Sequence, residues 1–161
     1  MNVANEEATM THYREPGFFT RRIMQPLMLG AQRLGISLWG SRTLEVRGRR
    51  SGEPRRVPVN LLTVDEVDHL VAPRGITQWV RNLRAAGEAE LLLGRRRDRV
   101  RAVEVVDQAE QVVLLREYLR RWKWEVGVFF DGASADSTDA ELAAIAPKHP
   151  IFRLEHLPAP A

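Results

Sequence analysis

Cysteine is absent from the 161 residues. No disulfide, thiolate metal site or cysteine nucleophile is therefore available, and a reducing compartment suits the chain, so a cytoplasmic location is expected. Lysine is nearly absent too: of 24 basic residues only Lys123 and Lys148 are lysines, which leaves 22 arginines. No apolar run approaches the roughly 20 residues that a membrane-spanning helix needs. Met1 to Arg14 is too polar and acidic for the apolar core of a signal peptide. The usual nucleotide signatures are also missing, with no GxGxxG after a strand and no P-loop lysine. His12, His69, His149 and His156 are scattered, and Asp131, Asp136 and Asp139 lack the spacing and glycine of a calcium loop, so no metal site is expected.

What is present is arginine. The formal net charge is +3 with a sequence pI of about 9.9, and arginine offers a rigid fork of donors suited to carboxylates and phosphates. Composition permits an anionic ligand without naming one. With 44% hydrophobic residues the chain is read as one domain over 1–161. Residues 1–16 form an N-terminal tail in this reading, and the closing LPAPA is a second tail. Over 17–38 the apolar positions Phe19, Ile23, Leu27, Ala31 and Leu34 recur at helical spacing and predict an amphipathic helix, bent at Pro26.

From Thr43 the period becomes two. Leu44 and Val46 share one side of a strand, Glu45 and Arg47 the other, and Val57, Val59 and Leu61 alternate along the next. SGEP between them is turn chemistry. DEVD turns into a third strand, HLVAP; Thr77 caps a short helix, QWVRNLRAAG, that Gly87 closes. Two strands follow, AELLLG and RVRAVEVV, joined by a basic turn over Gly94 to Asp98. The longest helix runs from Gln108 to Phe130, with Trp124 off its apolar stripe. Thr138 with Glu141 makes a capping box for a short helix, and IFRLE is the last strand. About six strands and four helices in this order predict an α+β fold, a mostly antiparallel sheet closed or half closed into a split β-barrel with helices packed outside.

The first hairpin connection carries Arg49, Arg50, Arg55 and Arg56, and charges of one sign this close need a counter-charge. APRGITQW adds a second basic, turn-rich segment, in which a glycine loop leads into a helix N-terminus that offers N–H groups to an anion. Two such segments on adjacent strands can converge on one phosphate tail. A solvated surface or a nucleic-acid-binding module would also display clustered arginine. Against the latter, the 21 acidic residues are spread throughout, so nucleic acid is not the expected partner.

These residues carry a resemblance. GRRSGEPRRVPVNLL followed by LVAPRGITQWVRNLRAAG resembles the deazaflavin-dependent nitroreductase and quinone reductase family, split barrels that use coenzyme F420. The family's pattern is met by Gly48, Arg49, Arg50, Ser51, Gly52, Pro54 and Arg55, then Arg74 and Gly75, then Trp79, Asn82 and Leu83. The closest likeness runs from Thr43 to Val106.

The resemblance implies that Arg50, Ser51 and Arg55, with Arg49 beside them, hold the phosphate and acidic tail of the cofactor. It implies that Arg74 and Gly75 line the same groove with Trp79 and Asn82, and that Pro58 and Asn60 lie toward the deazaflavin ring. A hydride would pass from the reduced ring to a quinone, enone or nitro compound, so no single catalytic side chain is required. Tyr118 and water are both proton sources in this scheme, with neither preferred. A shorter loop between Gly75 and Trp79, and Val80 where an aromatic residue often stands, leave the acceptor open. FMN is the alternative cofactor, in a split-barrel protein that shares the fold alone. The small-molecule acceptor is the expected partner, together with a homodimer mate and a peripheral membrane contact through the 17–38 helix.

Overall fold

The computed structural model describes residues 41–159. The N-terminal tail and the amphipathic helix expected over 17–38 lie outside them, as do the last two residues of LPAPA.

Six strands form a closed antiparallel barrel in the order β1-β2-β3-β6-β5-β4: β1 (Ser41–Arg47), β2 (Pro54–Val64), β3 (Val67–Val71), β4 (Glu88–Leu93), β5 (Arg96–Glu104) and β6 (Ile151–His156). Strand β1 closes the ring by pairing with both β2 and β4, with Leu44 opposite Val57 and Leu91. Three α-helices are described, α1 (Gln78–Ala86), α2 (Gln108–Val126) and α3 (Asp139–Ile145). The expected split barrel with helices outside is the observed fold, and the fourth expected helix, over 17–38, lies outside the described residues.

The period-two pattern divides the apolar residues between two cores. Leu44, Val46, Val59, Leu70, Leu91, Val100, Phe152 and Leu154 form one cluster with Val80 and Leu83 of α1. The second lies under α2 and α3, where Leu115, Tyr118, Leu119, Trp122 and Phe130 meet Leu62, Val71, Leu142 and Ile151. In β2, Val59 joins the first cluster and Leu62 the second, because successive side chains leave opposite faces.

Several local expectations need correction. Strand β2 begins at Pro54, so Arg55 and Arg56 belong to the strand and only Gly48–Glu53 form the connection. Strand β3 pairs with β2 only from Leu61 onward, leaving Pro54 to Asn60 paired on the β1 side alone. A proline such as Pro58 fits an edge stretch of this kind. The β4–β5 turn is Gly94–Arg95, not Gly94 to Asp98. Arg97 reaches Glu90 at 2.5 Å and Glu45 at 3.1 Å, so a charge-rich run forms a strand because its ions pair across the outer face. The β2–β3 turn is Asp65–Glu66, with φ of 49° and 64°. Helix α2 stops at Val126 and passes into a short 3-10 turn, Gly127–Phe129. Trp124 is 67% exposed, in keeping with its place off the stripe.

The caps divide. Thr138 and Glu141 form both halves of the capping box, and Gly87 closes α1 at φ 70° with its N–H on the Leu83 carbonyl. Thr77 stands at the N-cap of α1 but makes no capping bond; its Oγ1 is buried without a hydrogen-bond partner among the described residues.

Candidate active site

The open edge of β2, the β1–β2 connection, the loop after β3, the start of α1 and the end of α2 enclose a cleft of about 1050 Å³. Its size suits a cofactor-sized ligand. Of the residues singled out from sequence, Arg49, Arg50, Ser51, Arg55, Pro58, Asn60, Arg74, Trp79 and Asn82 line it. Gly75 does not. Its φ of 78° makes the turn that carries Arg74 and Ile76 to the cleft wall.

The connection is held by its own backbone. Gly48 N–H donates to Glu53 O and Gly52 N–H to Gly48 O, both at 2.8 Å. Gly52 takes φ 71°, and Ser51 Oγ accepts from Glu53 N–H at 3.3 Å. A Cβ on Gly48 would come within 2.9 Å of Ser51 Oγ and 3.3 Å of Glu53 O, so a side chain here would have to turn the Ser51 hydroxyl away. Asn82, 5% exposed, ties the connection to α1. Its Oδ1 accepts from Arg49 N–H at 3.2 Å and from Arg49 Nη1 at 3.0 Å, while the same Nη1 donates to Gln78 Oε1 at 2.8 Å.

The loop after β3 uses two of the N–H groups that the sequence offered to an anion. Gly75 N–H donates to Ala72 O at 3.1 Å and Thr77 N–H to Gly75 O at 2.9 Å. Trp79 is half-buried with its ring 6.1 Å from Phe152, so it both packs the barrel and borders the cleft.

Electrostatically the cleft is one-sided. Among the described residues six arginines line it, at positions 49, 50, 55, 56, 74 and 81, against the single carboxylate of Glu125. Arg56 pairs with Glu45 at 2.5 Å on the outer face, and Arg74 lies over the Phe129 ring at 5.9 Å. Among the described residues no carboxylate pairs with Arg49, Arg50, Arg55 or Arg81. Four cations left without counter-charge around one cleft favour an anionic occupant.

Sequence reasoning did not find Glu125 or Gln78. Asn60 Nδ2 donates to Glu125 Oε2 at 3.4 Å, across 65 positions of chain. Tyr118, 2% exposed, lies beside them. Burial drives the Tyr118 phenol far above its ordinary range, with the Glu125 charge adding to the rise and the Asn60 hydrogen bond opposing it. Glu125 is open to solvent by area, yet enough protein surrounds it for desolvation to raise its carboxyl pKa against the lowering by Asn60. The one available signal was that positions 118 and 125 are seven apart and therefore share a helix face.

Residues 24–126 match the family described as F420H(2)-dependent quinone reductase. The chain belongs to the F420H(2)-dependent quinone reductase family. It is accordingly an oxidoreductase, a reductase whose cofactor is coenzyme F420. No curated protein matches the chain. Among solved structures, a conserved protein from Mycobacterium tuberculosis is 17% identical over 80% of this chain and 78% of its own, with a TM-score of 0.49. The F420-H2 dependent reductase FDR-A is 15% identical over 72% of this chain and 94% of its own, with a TM-score of 0.47. The haem storage protein HutZ from Vibrio cholerae is 12% identical over 81% and 89%, with a TM-score of 0.48. No helix among the described residues is long and apolar enough to cross a membrane.

Proposed function

We propose that this family member passes a hydride from reduced coenzyme F420 to an electron-poor small molecule, a quinone, enone or nitro compound, in the cleft beside β2. The observation that carries the reading is the set of arginines at 49, 50, 55 and 81, without carboxylate partners among the described residues, in a cleft that also has apolar walls at Val57, Pro58, Ile76 and Phe129. A polyanionic tail joined to a planar ring fits such a division. Bound there, the deazaflavin would supply the hydride.

The chain's own residues position and shield. Arg50, Ser51 and Arg55 would hold the phosphate and acidic tail, with Arg74 beside them, and Gly75 shapes that loop. Arg49 and Asn82 fix the connection that presents these groups. Pro58, Asn60 and Trp79 would lie toward the ring, and exclusion of water by the apolar wall strengthens each charge contact inside. A homodimer and a peripheral membrane contact of residues 17–38 belong to the same reading. Liposome flotation with and without the residues before Gly40 tests the contact, and equal binding of both forms would refute it.

Titration of the protein with oxidised and reduced coenzyme F420, and with FMN in parallel, followed by tryptophan fluorescence, tests the cofactor site. Tight deazaflavin binding that Arg50→Ala with Arg55→Ala weakens is expected. Preference for FMN, or an affinity indifferent to the two arginines, would refute the assignment.

A further inference from the structure

We propose that Glu125 is the proton donor to the acceptor, aimed across the cleft by Asn60. The inference rests on the hydride-transfer reading above and adds the group that completes it. A quinone, enone or nitro acceptor that takes up a hydride becomes an anion and needs one proton. Three observations place that proton on Glu125.

Among the described residues it is the single carboxylate that lines the cleft. Its Oε2 is held by Asn60 Nδ2 at 3.4 Å, which leaves Oε1 without a partner among the described residues. It also escapes the arginines that share its cleft: Arg56 is engaged by Glu45, Arg49 by Gln78 and Asn82, and no guanidinium forms an ion pair with Glu125 among the described residues. An arginine partner would lower the carboxyl pKa and hold it as the anion. Without one, desolvation dominates and moves the group toward neutrality, where a general acid is most effective. Among the described residues the other ionisable groups of the cleft are Tyr118 on the same helix and the six arginines. Burial makes the Tyr118 phenol a weaker acid than usual, so the tyrosine is the poorer donor.

The step balances. The acceptor gains two electrons and one hydrogen as hydride, then one proton from the Glu125 carboxyl. The cofactor ends oxidised by two electrons and releases its remaining proton to solvent. Because Glu125 is open to solvent, its carboxylate regains a proton from water before the next cycle.

Two measurements test this. In cofactor-free protein labelled with 13C at glutamate carboxyls, one glutamate should titrate above the others, vanish in Glu125→Gln, and move higher still in Asn60→Ala, which removes a bond that favours the anion. In turnover with a quinone, Glu125→Gln should reduce kcat by about 100-fold and erase the alkaline limb of the pH profile, while coenzyme F420 affinity by tryptophan fluorescence stays unchanged. Glu125→Asp should recover part of the rate. A Glu125 that titrates with the rest, or a Glu125→Gln kcat within about threefold of wild type with the pH limb intact, overturns the proposal and leaves the function standing. Wild-type protein that neither binds the cofactor nor turns over an acceptor overturns both. Should Glu125→Gln fail to fold, the upward shift of the wild-type alkaline limb in Asn60→Ala decides the matter, and an unmoved limb counts against the proposal.

Discussion

Asn82→Ala should loosen the arginine connection without touching either apolar core. Asn82 is 5% exposed and accepts two hydrogen bonds from Arg49, one from its backbone and one from its guanidinium. A neutral backbone bond contributes about 1 kcal/mol net. The guanidinium bond adds about 0.5 kcal/mol, discounted because Arg49 is exposed and Gln78 shares its Nη1. The expected loss is therefore about 1.5 kcal/mol, which in a chain of this length lowers Tm by about 3 to 6 °C. Urea unfolding read by tryptophan fluorescence measures the first figure and calorimetry the second. Asn82→Asp keeps an acceptor at the same place and should retain most of the stability. A cycle combining Asn82→Ala with Arg49→Ala isolates the side-chain arm, with an expected coupling near 0.5 kcal/mol. Loss of the same connection should weaken cofactor binding in Asn82→Ala and spare it in Asn82→Asp. Stability of Asn82→Ala within about 0.3 kcal/mol of wild type would refute the idea that this asparagine anchors the loop.

Other consequences are local. Asp65 and Glu66 both have positive φ, which strains a residue with a Cβ, so Glu66→Gly should raise stability by about 0.5 to 1 kcal/mol in chemical unfolding; a loss would show that the turn geometry is misread. Desolvation pulls the Glu45 carboxyl up, but hydrogen bonds from Arg56 and Arg97 outweigh it and hold its pKa below the ordinary 4.5. Its contribution to stability is thus present above pH 4.5 and fades as pH falls through the lower folded value. Glu45→Gln should cost about 1 kcal/mol at neutral pH, and its unfolding midpoint should converge on wild type in acid. A gap that persists undiminished in acid well below pH 4.5 would count against the ion network as the source.

How far the sequence announced this molecule depends on whether a feature is local. Leu44 and Val46 face the barrel core as their alternation predicts. Thr138, Glu141 and Gly87 cap because each needs only its immediate neighbours. Thr77 shows the limit: the same residue chemistry at an N-cap fails to cap, and its hydroxyl is buried beside the cleft instead. Arg96 to Asp98 read as part of a basic turn over Gly94 to Asp98, yet they belong to β5. Arg97 pairs with Glu90 across the β4–β5 hairpin and with Glu45 of β1, 52 residues away, and the second partnership exists only because β1 pairs with β4. The arginine hairpin was legible through its density, and nine of the ten residues expected at the site line one cleft. Glu125 was not, since what distinguishes it is Asn60, 65 residues away, and the absence of an arginine partner among the described residues.

The most direct test is anaerobic turnover, with deazaflavin absorbance followed as protein and reduced coenzyme F420 meet a small quinone, for wild type and for Arg50→Ala with Arg55→Ala. Each charge-assisted contact should contribute about 1.5 kcal/mol, so the double variant should need about 100-fold more cofactor for half-maximal rate. That shift, with quinone-dependent oxidation in the wild type, is the predicted result. No protein-dependent oxidation with quinone, enone or nitro acceptors, or a double variant with unchanged cofactor demand, would contradict the account.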